Sequence, residues 1–207
     1  MESFTSESLP LLCDQLAKKD AQLKAIITQY GYPPFWSRPA TFASLILFIL
    51  EQQVSLASAK AAFDKLQATI GTVTPQKVLQ LSDAELKACY FSRQKTVYAR
   101  CLAEAIISKQ VNLKKLATAS NEEVRNTLIQ VKGIGNWTVD VYLMMVLQRC
   151  DLFPSGDIAL INSAKEVLQL PPQTTKETVL TIAQKWVPYR TIAAYLLWHA
   201  YLCKRKK

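Results

Sequence analysis

The segment Gln130-Val131-Lys132-Gly133-Ile134-Gly135-Asn136-Trp137-Thr138 places two glycines, one residue apart, between two runs of helical periodicity. Val124, Leu128 and Val131 recur at three- and four-residue spacing before it, and Val139, Tyr142, Leu143 and Val146 resume that spacing after it. Glycine reaches positive φ without a Cβ penalty, so Gly133 and Gly135 are expected to turn the chain tightly between two helices. Successive amide N–H groups would then point outward at the start of the second helix, an arrangement suited to a phosphate. The segment follows a helix and lacks a third glycine, which separates it from a dinucleotide fingerprint. It also lacks the Gly-Lys-Ser/Thr ending of a Walker loop. An isolated Gly-x-Gly is by itself only a helix–helix turn, so the rest of the chain has to give it meaning.

Nearly every long segment carries the same helical spacing and alternating strand patterns are scarce, which predicts an all-α fold. Helices are expected near 8–29, 40–51, 55–69, 75–80, 83–88, 93–108, 113–117, 121–130, 136–149, 158–168, 175–185 and 189–203. Tyr32-Pro33-Pro34, Gly71, Pro75, Gly133, Pro154, Pro171-Pro172 and Pro188 punctuate these runs, with Ser82, Asn121 and Asn136 as expected N-caps. No internal repeat or low-complexity linker interrupts the pattern.

The 207 residues are enough for one domain or two small lobes with a sizeable core. Lysine and arginine number 25 against 16 acidic residues, a net charge of +9 that favours a polyanionic partner such as nucleic acid. The basic tail Lys204-Arg205-Lys206-Lys207 reads as a solvated end that adds non-specific attraction. Cys13, Cys89, Cys101, Cys150 and Cys203 are odd in number and scattered, so neither a disulfide framework nor a zinc or iron–sulfur set is indicated and a reducing, intracellular setting is expected. The start Met1-Glu2-Ser3-Phe4-Thr5 has no basic, apolar leader pattern and the apolar run Phe42 to Leu50 is too short to span a bilayer, so no membrane partner is expected.

Asp157 follows Pro154-Ser155-Gly156 and precedes the periodic Ile158, Ile161 and Leu168, which sets a carboxylate at a helix N-terminus. The helix dipole favours its ionised form there. Taken alone it is a capping aspartate; next to a phosphate-gripping hairpin, the same charge can stabilise the cationic sugar that forms when an N-glycosidic bond breaks. Trp137, Tyr142, Trp186, Tyr189, Tyr195 and Trp198 gather late in the chain. Most are expected to fill the core, and only Trp137 is assigned a base contact. Glu51-Gln52-Gln53-Val54-Ser55 breaks the apolar line Phe42, Ile46, Ile49, which resumes at Leu56 and Phe63. Ser55 is an expected cap for the next helix, and Gln53 on that turn could enter a DNA stack. His199, the single histidine, reads as structural, since no second histidine completes a metal or nucleophile scheme.

Phe35-Trp36 and Phe42 ahead of Ile49 to Ser55, then Val131 to Thr138, then Phe153-Pro154-Ser155-Gly156-Asp157, then Trp186-Val187-Pro188-Tyr189-Arg190-Thr191 through Trp198 occur in this order over roughly residues 35 to 203. Together they resemble the helix-hairpin-helix superfamily of base-excision DNA glycosylases, most closely its alkylated-base branch, the 3-methyladenine DNA glycosylase II type. The resemblance implies a two-lobed helical fold with an active-site cleft between the lobes. A middle lobe of about 45–150 would contain the hairpin 131–137, and a second would combine 1–44 with 151–207, a minimal form without an extra N-terminal domain. Asp157 is implied as the catalytic carboxylate. Lys132, Gly133, Ile134, Gly135, Asn136 and Thr138 of the hairpin, with Gln53 and Ser55, are implied to contact DNA, Gln53 as the wedge. Trp137, Phe35, Trp36 and Gln52 are expected to line the base pocket. The carbonyls of Val131 and Ile134 would lie near a sodium or potassium ion, and no iron–sulfur cluster is implied.

Relatives that also nick DNA through a Schiff base carry a lysine two residues after the second glycine, where this chain has Trp137. Lys132 sits on the hairpin's entry instead. A monofunctional enzyme acting as a monomer on double-stranded DNA with damaged bases is therefore expected, flipping out 3-methyladenine or 7-methylguanine and leaving an abasic site. Ile158 stands where an aromatic is often found beside the aspartate, and Val141 where some relatives have tyrosine, which leaves the lesion range open. The alternatives are a glycosylase for a neutral deaminated or oxidised base and a non-catalytic module that binds DNA structure.

Overall fold

A computed structural model describes residues 2–205, so Lys206 and Lys207 of the basic tail lie outside the described residues. Among these residues the chain forms α1 (Ser8–Lys19), α2 (Ala21–Tyr30), α3 (Phe42–Glu51), α4 (Leu56–Ile70), α5 (Pro75–Gln80), α6 (Asp83–Ala88) and α7 (Arg93–Ile107). They are followed by α8 (Leu113–Leu116), α9 (Asn121–Leu128), α10 (Asn136–Met145), α11 (Ile158–Val167), α12 (Lys176–Ala183) and α13 (Arg190–Arg205). An isolated bridge pairs Ser3 with Arg149, and no strand forms among the described residues. The fold is all-α. No helix among the described residues is long and apolar enough to cross a membrane.

Two compact units divide the chain. One is the chain up to Ser37 together with the chain from Leu143 onward; the other is Arg38–Tyr142. The middle unit thus opens and closes ahead of the 45–150 set from sequence. Its core is α3, whose Leu45, Ile46, Phe48, Ile49 and Leu50 are all buried and which packs on α4 and α7. In the other unit α13 packs on α2 and α11, with Ile192 to Leu197 fully buried along its length.

Three of the differences from the sequence reading have a clear local reason. The expected helix 8–29 is two helices, because Asp20 adopts an extended backbone and caps α2, accepting from Gln22 N at 3.0 Å and Leu23 N at 3.1 Å. Leu9, Cys13, Leu16, Leu23 and Ile26 stay in phase across the break, so periodicity does not register it. Helix α10 stops at Met145, short of 149, with Gln148 in the left-handed region at φ 52°. Ser120, not Asn121, caps α9, in a reciprocal capping box with Glu123. Ser82 and Ser55 cap α6 and α4 as expected.

Asp20 is also a hub. Its second oxygen accepts from the buried Trp186 indole at 2.8 Å and from Lys185 Nζ at 2.8 Å. Burial pushes the carboxyl up, but the hydrogen bonds from Lys185, Trp186 and the Leu23 amide together outweigh it and hold it below the ordinary 3.8. Asp20→Ala is expected to cost about 3 kcal/mol in urea unfolding, from the lost cap and an orphaned indole N–H. A depressed folded-state carboxyl contributes stability above pH 3.8 that disappears as pH falls through its lowered value. The gap between wild type and variant should therefore narrow in melts run below that pH. An unchanged gap would mean that the charge is not what matters.

Candidate nucleic-acid interface and carboxylate site

The middle unit holds the hairpin. Val131 N donates to Leu128 O at 3.1 Å and Ile134 N to Val131 O at 2.9 Å, which closes the turn between α9 and α10. The turn relies on one glycine. Gly133 has φ 95°, and a Cβ there would lie 2.1 Å from Tyr98 Cγ on α7. Gly135 has no positive φ and a Cβ would meet nothing within 4 Å, so it leaves open space at the start of α10 instead of making the turn. The first amides of α10 have no acceptor within their own helix and carry its positive dipole end, which suits an anion.

The residues expected to contact DNA separate by exposure. Lys132, Gly135 and Asn136 are exposed, as are Gln53 and Ser55 on the α3–α4 turn. Asn136 opens α10 rather than capping it, and its Oδ1 accepts from Arg125 Nη1 at 2.9 Å. Arg125 also pairs with Asp140 of α10, whose carboxyl is pushed up by burial and only partly relieved by that guanidinium. Arg125 thereby ties α9 to α10 on either side of the hairpin. Ser55 spends its hydroxyl on Ser58, accepting from its amide at 3.1 Å.

Three other residues singled out from the sequence have burial or partners of their own. The Thr138 side chain is buried and takes a hydrogen bond from Gln52 Nε2 at 3.0 Å, so its hydroxyl is turned away from solvent. Ile134 is buried as well. Gln52, expected in the base pocket, donates instead to Gly133 O at 2.8 Å and to Thr138, because the end of α3 runs beside the hairpin. Trp137 is half-buried at the first turn of α10.

The other unit holds the carboxylate. The turn before α11 is closed by Asp157 N donating to Pro154 O at 3.0 Å, and Asp157, half-buried, caps the helix by accepting from Leu160 N at 2.8 Å. The approach to this turn is gripped by the start of α13. Arg190 donates from Nε and Nη2 to the two oxygens of Asp151, at 2.7 and 3.0 Å. Thr191 Oγ1 donates to Arg149 O at 2.6 Å and accepts from Leu152 N at 3.0 Å. Phe35 and Trp36 lie in this unit. Phe35 meets Phe4 edge-on at 5.8 Å, and Trp36 stacks edgewise on Tyr195 at 5.1 Å. Trp186, Tyr195 and Trp198 are core residues, as their helical spacing led one to expect, and His199 Nε2 donates to Tyr30 O at 3.0 Å in a structural role.

Tyr98, Arg125 and Asp140 carried no signal in the sequence. Each acts through a partner on another helix, and the order of residues along the chain does not reveal such pairs.

An all-α chain with a helix-hairpin-helix turn in one unit and an N-capping aspartate after a Pro-Ser-Gly turn in the other defines a recognisable class. Residues 46–189 match the model of the HhH-GPD superfamily base excision DNA repair proteins, and the chain belongs to that family. It is 34% identical over 161 residues to DNA-3-methyladenine glycosylase 1 of Schizosaccharomyces pombe, covering 76% of this chain and 71% of the relative. It is 31% identical over 198 residues to the alkylbase DNA glycosidase-like protein mag2 of the same yeast, covering 92% of this chain and 93% of that one. The solved structure of the Schizosaccharomyces pombe 3-methyladenine DNA glycosylase Mag1 in complex with abasic DNA superposes with a TM-score of 0.83 at 30% identity, over 90% of this chain and 94% of that one.

Proposed function

We propose that this chain is a monofunctional DNA glycosylase that extrudes alkylated purines such as 3-methyladenine and 7-methylguanine from duplex DNA and hydrolyses their N-glycosidic bond. The observation that carries the reading is Asp157, held at the N-cap of α11 by the Pro154 turn in a chain of this family. The relatives named for 3-methyladenine support the substrate class.

The hairpin amides and Lys132 take the DNA phosphate, and Gln53 fills the space vacated by the extruded nucleotide. As the bond to the base lengthens, positive charge grows on the sugar, and the Asp157 carboxylate stabilises it while water attacks. A base that already bears a positive charge leaves without a general acid, so one carboxylate suffices. No base contact from Gln52 is needed in this scheme, and Trp137, Phe35 and Trp36 are the aromatics proposed for the base.

The hairpin's carbonyls also suit a sodium or potassium ion. They are neutral hard oxygens, and Val131 O, which accepts the Ile134 N–H at 2.9 Å, keeps a second lone pair. Val131 and Ile134 would hold such an ion, which would add positive charge beside the phosphate.

Trp137 occupies the position of the lysine on which lyase chemistry depends, so no Schiff base forms there. Alkylated duplex DNA should accordingly yield free methylated purines, with strand breaks appearing only after alkali. Breaks before alkali would refute the monofunctional reading, and binding without release of any methylated base would refute the alkylpurine reading.

A further inference from the structure

Three contacts converge on the last turn of α3. Lys95 Nζ donates to Leu50 O at 2.6 Å, and Arg38 grips Glu51 from both terminal nitrogens at 2.9 and 2.5 Å. Gln52 then donates from its one amide nitrogen to Gly133 O and Thr138 Oγ1, 81 and 86 residues away in sequence. The next residue, Gln53, is exposed and held in the left-handed region at φ 58°. A non-glycine residue stays in that region only where its surroundings over-determine it, and such strain gathers at sites that present a side chain to a ligand.

We infer that Gln52 is a positioning residue that joins the Gln53 turn to the hairpin, so that wedge and phosphate grip meet the DNA as one preset unit. The inference rests on the DNA-reading role proposed above and not on the excision chemistry. Both amide protons of Gln52 are committed within the middle unit, and Gly133 O can only accept, so a side chain without a donor at that length cannot replace it. Preorganisation lowers the cost of ordering two loops at the moment of binding.

The test is a double-mutant cycle on affinity for a duplex carrying a tetrahydrofuran abasic analogue, read by fluorescence anisotropy. Gln52→Ala and Gln53→Ala should each weaken binding about tenfold, and the double variant should be no weaker than the worse single one. Additive losses, about a hundredfold in the double variant, would overturn the inference. Gln52→Glu keeps the shape but faces Gly133 O with an acceptor. It should bind as poorly as Gln52→Ala at pH 8 and recover toward wild type as the pH is lowered through the ordinary carboxyl value of about 4.3, where the protonated acid can donate; Thr138 can adapt to either form, Gly133 O cannot. A flat pH profile for Gln52→Glu relative to wild type would equally overturn it. If Gln52→Ala does not fold, that profile decides alone. Since binding is the readout, absence of methylpurine release would count against the enzymatic reading and leave this one standing or falling on the cycle.

Discussion

Asp157→Asn is expected to lower methylpurine release by about 10²–10³-fold while leaving affinity for an abasic-site duplex within a factor of about two. The substitution isolates charge from architecture. Asparagine caps helices as well as aspartate does, so its Oδ1 can keep accepting from Leu160 N, now 2.8 Å away, and α11 keeps its start. The removed quantity is a full negative charge at a half-buried position on a helix N-terminus, where it has no equivalent from water once DNA covers the site. Asp157→Ala, by contrast, loses the cap too and should cost about 1 kcal/mol of stability beside the same loss of rate. Single-turnover release and a thermal melt for the three proteins separate the two effects. If Asp157→Asn kept its rate within a few-fold, the carboxylate would be a cap and nothing more.

Much of this architecture could be read before any coordinates, because helices announce themselves by period and their starts by caps. Ser55, Ser82 and Asp157 cap where the sequence placed them. The aromatic residues Trp186, Tyr195 and Trp198 are in the core that their spacing implied. What stayed hidden were interruptions that preserve phase and pairings over long separations. Asp20 breaks a helix without shifting the apolar register. Gln52 and Thr138 looked like ligand-facing polar residues, since an amide on an apolar line and a hydroxyl behind a glycine turn both suggest exposure; in fact each satisfies the other. The two glycines of the hairpin were equal in sequence and are unlike in structure, in their backbone φ and in the helix that lies against Gly133 alone.

That inequality gives the second large effect. Gly133→Ala is expected to destabilise the protein by about 3 kcal/mol, combining a left-handed backbone that disfavours any Cβ with an overlap that forces Tyr98 or the hairpin to move. The new atom would sit 2.1 to 2.5 Å from Cγ, Cδ1 and Cδ2, at the base of the ring, so the whole ring and not only its tip has to shift. Pairing Gly133→Ala with Tyr98→Ala should restore the part due to overlap and leave the backbone part, so the double variant should be more stable than the sum of the single effects implies. Gly135→Ala should behave oppositely. Its Cβ meets no atom of the protein and its φ is ordinary, so the melting temperature should be unchanged, yet affinity for duplex DNA should fall because the methyl occupies the surface a phosphate must approach. Equal stability losses at the two glycines would show that Tyr98 is not what fixes the turn, and undiminished DNA affinity in Gly135→Ala would remove the hairpin's open amides as the phosphate site.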